Sequence, residues 1–109
     1  MTEQENKQLL MTLGLCFKAG YAVCGTELIC DAMKNAKKPP ALVLEASDTS
    51  ENTHKRISDR CTFYKTEHIR LGVSSSELGA ALGKKSLIAA VGITDTGFCR
   101  SIKTKLNLN

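Results

Sequence analysis

Two short, uninterrupted apolar runs, Ala41-Leu42-Val43-Leu44 and Leu87-Ile88-Ala89-Ala90-Val91, constrain the fold of this chain more than any other feature. A strand with one wet face alternates apolar and polar residues, whereas a strand that is apolar at every position is buried on both faces. Such strands need a layer of helices above the sheet and another below it. The first run is closed by Glu45, Ser47 and Asp48, which predicts where the strand ends.

The segments around these runs supply the helices. Leu9, Leu10, Leu13, Cys16 and Phe17 recur at helical spacing and Gly20 offers a stop, so a first helix is predicted over about 3–19. A short extended piece, residues 21–24, leads to Gly25. Leu28, Ile29, Ala32, Met33 and Ala36 then form one apolar stripe that Pro39-Pro40 ends, predicting a second helix over about 26–37. A third helix starts after Thr49 or Ser50 and turns Ile57 and Cys61 inward, and residues 64–68 read as a weaker strand. Ser74 and Glu77 have the spacing of a capping box, and a short helix follows through Leu78, Ala81 and Leu82. Asp95 caps a last helix that faces Phe98, Ile102 and Leu106 inward. The alternation predicts an α/β fold, a three-layer α/β/α sandwich around a small sheet, in one domain spanning residues 1–109.

Composition narrows the function classes. Fifteen Lys and Arg against eleven Asp and Glu give a net charge of +4, which permits a polyanionic partner without demanding one. Two Tyr, three Phe and no Trp are too few for an RNA-binding surface built from rows of stacked aromatics. The five cysteines (Cys16, Cys24, Cys30, Cys61, Cys99) are odd in number and sit mostly inside apolar patterns, which suits thiols in a reducing cytoplasm. No Cys-x-x-Cys pair exists, Cys24 and Cys30 are too far apart for a zinc knuckle, and no His pair completes a metal site. No apolar run is long enough to cross a membrane, and the polar, acidic start over residues 1–8 lacks the pattern of a secretory leader.

Five stretches occur together in one order. These are Ala-Gly-Tyr-Ala-Val-Cys-Gly-Thr at 19–26, Ala-Leu-Val-Leu-Glu-Ala-Ser-Asp at 41–48, and Asn52-Thr53-His54-Lys55 with Asp59-Arg60-Cys61. Glu77-Leu78-Gly79 with Leu82-Gly83, and Ile88 to Val91 followed by Thr94-Asp95-Thr96-Gly97-Phe98, complete the set. In this order they cover nearly the whole chain and resemble the ribosomal protein L-seven-Ae/L-thirty-e (L7Ae/L30e) superfamily, in particular its small bacterial YlxQ-like branch. The resemblance implies a ribosomal L-thirty-e-like sandwich with a mixed four-stranded sheet, and a non-catalytic protein that binds kink-turn RNA, a sharply bent duplex with a bulge and tandem G·A pairs. The implied partner is structured RNA, kink-turn-like or ribosomal, with the ribosome as a candidate assembly and with no membrane, cofactor or small-molecule substrate.

The RNA-binding residues carried over by the resemblance fall in two loops. At the first, the family reads Gly-Thr-Asn-Glu, two residues, then Lys, where Asn and Glu read guanine edges and Lys meets backbone. Here the positions are Gly25, Thr26, Glu27, Leu28 and Asp31, so only the first two match. Gly25 and Thr26 keep what backbone recognition needs, a turn that admits close approach and amides at a helix N-terminus that attract phosphate. Glu27 accepts hydrogen bonds but cannot donate as an amide does, Leu28 does neither, and Asp31 places an anion where the family keeps a cation. Lys34, one turn on, is a partial replacement. At the second loop, Leu71-Gly72-Val73 is expected to cover an extruded base by apolar contact, with Ser74 and Ser75 bonding phosphate or sugar hydroxyls.

The remaining candidates read as structural. Lys55, Arg56 and Arg60 on one helix, and Arg100, Lys103 and Lys105 on another, are expected to be solvated faces. His54, His68 and Cys61 have no spacing that supports a thiol catalyst, and Asp48, following the first buried strand, is expected to start the next helix. No phosphate-binding glycine loop is present, so no catalytic residue is assigned. The contrasting expectation, motivated by Leu28 and Asp31, is a protein-interaction or scaffold module that has kept the fold and lost kink-turn recognition.

Overall fold

The computed structural model describes residues 2–35 and 37–106. In chain order the elements are α1 (Glu3–Lys18), β1 (Ala22–Cys24), α2 (Thr26–Asn35), β2 (Leu42–Glu45), α3 (Glu51–Phe63), β3 (Glu67–Arg70), α4 (Ser75–Ala81), β4 (Ala90–Ile93) and α5 (Thr96–Lys105). The strands form one mixed sheet in the order β1-β4-β2-β3, in which only β2 and β3 run parallel. This is the three-layer sandwich around a four-stranded sheet that the sequence predicts. Met1, Ala36 and residues 107–109, including the penultimate position of the expected second helix, lie outside the described residues.

The two central strands, β2 and β4, are buried at every position, and these are the strands announced by the apolar runs. Alternate residues of β2 enter two separate cores. Leu42 and Leu44 join Leu9, Leu13, Val91, Ile93 and Ile102 beneath α1 and α5, while Val43 joins Ile29, Met33, Ile57 and Cys61 beneath α2 and α3. Each leucine side chain moved from water into such a core stabilises the fold by about 2 kcal/mol. Among the described residues no helix is long and apolar enough to cross a membrane.

Several expectations shift. The weaker strand forms over Glu67–Arg70, not 64–68, because parallel pairing to β2 sets its register at Leu42↔Glu67 through Glu45↔Arg70. The last strand begins at Ala90, opposite Glu45, so Leu87 precedes it and is 70% exposed. Glu45 does not close β2 from outside; it is the last residue of the strand and is fully buried. Leu28, counted in the apolar stripe of the second helix, faces solvent and is 59% exposed. Asp48 does not cap α3, since Ser50 does so by accepting from the Thr53 amide.

Candidate nucleic-acid interface

One end of the sheet gathers the loops that follow β1, β2 and β3 and the segment that precedes β4. The Gly25 amide donates to Ala90 O at 3.0 Å, Ala46 N–H to Ala89 O at 2.8 Å, Leu71 N–H to Glu45 O at 2.7 Å and Ser47 N–H to Val73 O at 2.8 Å. Both loops singled out by sequence are therefore anchored on one rim.

Gly25 has φ +96°, a left-handed conformation that a side chain resists, and no atom lies within 4 Å of where its Cβ would stand. The turn lets Gly25 extend the ladder to β4 through its amide and at once begin α2, whose first intrahelical bond runs from Ile29 N–H to Gly25 O. The amides of Thr26, Glu27 and Leu28 precede that bond and have no intrahelical acceptor. The residue ahead of them is a glycine, so no side chain caps them. Elsewhere, α1, α3, α4 and α5 are capped by Thr2, Ser50, Ser74 and Asp95. The start of α2 is thus a positive helix end aimed at solvent.

Around it, Glu27, Leu28, Asp31 and Lys34 are exposed on the outer side of α2, while Ile29, Cys30 and Met33 pack inward. Glu27 is ion-paired with Arg56 of α3, whose hydrogen bond and charge hold the Glu27 carboxyl below its usual range, with Arg60 adding to the effect. Arg56 and Arg60 line one shallow groove with Asn52, Lys55 and Asp59. These cations, expected to form a solvated face, are thus partly tied to α2. Their four-residue spacing was visible, but the contact across 29 residues that brings Arg56 to α2 was not.

The second loop differs from expectation. Leu71 is 4% exposed and Val73 fully buried, both inside the core under α1, so neither side chain is available to cover a base. They face inward because the backbone on either side is bonded to the β2 end. Ser74 caps α4 by accepting from the Glu77 amide at 3.1 Å, and Ser75 is buried, its amide and hydroxyl donating to Asp48 at 2.8 and 3.1 Å. The Ser75 amide is the main reason the Asp48 carboxyl sits below its usual range. Gly72 and Ser76 remain exposed. Apolar surface on this rim comes instead from Leu87, next to Ile88, whose amide donates to Ser75 O at 3.1 Å.

The profile of the ribosomal protein L7Ae/L30e/S12e/Gadd45 family matches residues 7–103. The chain belongs to this family. The RNA-binding protein YlxQ of Bacillus subtilis is 34% identical over 95 residues, which is 87% of this chain and 91% of that protein. The RNA-binding protein YlxQ of Enterococcus faecium is 31% identical over 103 residues, 94% of this chain and 95% of that one. A solved structure of a protein of unknown function from Bacillus halodurans C superimposes with a TM-score of 0.79 at 29% identity, covering 91% of this chain and 96% of that one. The YlxQ-like character read from sequence is therefore that of the proteins it matches.

One feature outside this rim's loops went unread in the sequence. His54 and His68, with no informative spacing, both meet buried Glu45, nine and 23 residues from it in the chain. Cys61, expected to turn inward on the third helix, is buried, and burial pushes its thiol up to about 11.

Proposed function

We propose that this chain is a non-catalytic, cytoplasmic RNA-binding protein of one domain that docks structured RNA, kink-turn-like or ribosomal, on the rim around the start of α2. The observation that carries the reading is the uncapped N-terminus of α2 behind the left-handed Gly25, in a chain whose family relatives are RNA-binding proteins. Three amides and a helix dipole draw in a phosphate, and Arg56, held beside them by its pair with Glu27, can turn to the same phosphate. Gly25, Thr26 and Glu27 form the centre of the site, with Leu28, Asp31 and Lys34 along the outer side of α2. On the second loop, exposed Gly72 contacts the RNA, in place of the Leu71 and Val73 side chains.

Fluorescence titration of a kink-turn RNA and a straight duplex across a range of salt concentrations tests this. The kink-turn is expected to bind more tightly, with log affinity falling linearly with log salt. Equal, micromolar-or-weaker binding of both would overturn it.

A further inference from the structure

Glu45, His54 and His68 meet between β2, α3 and β3. Glu45 is the last residue of β2, and its side chain points to the α3 side of the sheet, where a hydrophobic residue would otherwise continue the core of Val43 and Ile57. Its Oε1 lies 2.8 Å from His54 Nδ1 and 2.7 Å from His68 Nε2, and its Oε2 lies 2.9 Å from the same His54 nitrogen. The Thr49 hydroxyl also donates to Oε2. Glu45 is fully buried, the His68 side chain is 16% exposed and that of His54 is 40% exposed. One ligand atom from each of the three lies within 4.8 Å of the other two.

We infer that Glu45, His54 and His68 form a binding site for a divalent transition-metal ion, with zinc the best fit. A fully buried carboxylate needs hydrogen-bond donors, and a hydroxyl such as that of Thr49 would serve. Here the Thr49 hydroxyl does so, and two imidazoles from separate elements converge on the carboxylate as well. His54 Nδ1 sits almost equally far from both carboxylate oxygens, so one N–H must be shared between two acceptors, a poor hydrogen bond.

Two imidazole nitrogens and one carboxylate are the ligand set of three-residue zinc sites, and two nitrogens among three ligands disfavour calcium and magnesium. Metal–ligand bonds of about 2.0–2.2 Å in tetrahedral geometry place ligand atoms about 3.3 Å apart. The two carboxylate–imidazole separations of 2.8 and 2.7 Å need to widen by about half an ångström, and the two histidine nitrogens lie within 4.8 Å of each other.

The ion takes the lone pairs of His54 Nδ1 and His68 Nε2, each neutral ring keeping its one proton on the opposite nitrogen, while Thr49 holds the second carboxylate oxygen as an outer partner. The half-exposed His54 side leaves a fourth position open to water. The cation that opposes this is Arg70, whose Nε is 3.7 Å from Oε2. Its guanidinium is 44% exposed and is also bonded to Ser47 O and Thr49 Oγ1 at 3.2 Å, so it has room to withdraw.

The test uses the full chain, reduced and freed of metal, titrated with zinc by calorimetry at neutral pH and with cobalt by visible absorption. One ion per chain is expected, with a rise in melting temperature and cobalt bands that lack thiolate charge transfer. His54→Ala changes a half-exposed helix position and will keep the fold. It and His68→Ala should each weaken zinc at least about a hundredfold, more than loss of an outer partner does. No binding by the folded wild type, binding unchanged in the folded His54→Ala variant, or a thiolate band would each overturn the site. RNA titrations run with and without chelator keep this outcome separate from the RNA-binding reading, which does not depend on it.

Discussion

The starts of α2 and α4 stand at the same end of the same sheet and treat their free amides in opposite ways. At α4, Ser74 and Glu77 form a complete capping box and Asp48 takes the Ser75 amide and hydroxyl, so the amides bond within the protein. At α2, the position that would carry a cap is Gly25, and the amides face solvent. The first arrangement fixes a loop and the second leaves the amides free for the phosphate proposed above. The difference is chemical, since a serine accepts a hydrogen bond where a glycine has nothing to accept with.

The largest effect expected from this contrast is on stability at the α4 side. Leu71→Ala should cost about 2–5 kcal/mol, as buried leucine truncations do. Denaturant unfolding measures this, and RNA affinity per folded molecule should hold. A loss of affinity beyond the loss of folded protein would mean that the loop side chains touch RNA after all.

Gly25→Ala sharpens the contrast from the other side. No atom stands in the way of the new methyl group, so only the left-handed backbone resists it, at about 1–2 kcal/mol. Thermal unfolding reads that cost, and kink-turn affinity should fall by about tenfold or more as the amides are displaced, relative to a folded control.

Charge changes on the outer side of α2 should act on binding alone. Asp31→Lys is expected to tighten kink-turn binding and steepen the salt dependence by about one unit, and Arg56→Ala to loosen binding and flatten it by about one unit. Neither should move the melting temperature appreciably, since both side chains are exposed. No response in either salt slope would place the docking face elsewhere.

The smallest effect belongs to pH. The Asp48 carboxyl is held below its ordinary value of 3.8 by the Ser75 amide first and the Ser75 hydroxyl after it. A lowered carboxyl stabilises the fold fully above its unfolded value, and that contribution disappears as pH falls through the lowered value. Asp48→Asn should therefore flatten the acid limb of the stability curve below 3.8, measured by unfolding across pH.

What was legible in the sequence was local. The capping box of Ser74 and Glu77, the Asp95 cap and the inward faces of α1, α3 and α5 all depend on neighbours within about one turn, and each stands where the pattern put it. Family membership was legible because its motifs keep their order. The start of β4 was misjudged because an apolar run marks burial without saying where pairing begins. Leu71 and Val73 were read as outward because a loop pattern does not reveal backbone bonds to a distant strand end. Glu45, His54 and His68 were invisible as a group, for only the parallel pairing of β2 with β3 brings Glu45 and His68 together. Arg56 was missed for the same reason.

Helix α2 divides its residues into two independent sets. Ile29, Cys30 and Met33 hold the molecule together, while Glu27, Leu28, Asp31 and Lys34 touch no core. Mutation can therefore rewrite what this helix recognises in single steps, each passing through a fully folded protein. If α2 is the docking face proposed above, a lineage can drift from one RNA target to another along it while selection on the fold registers no change.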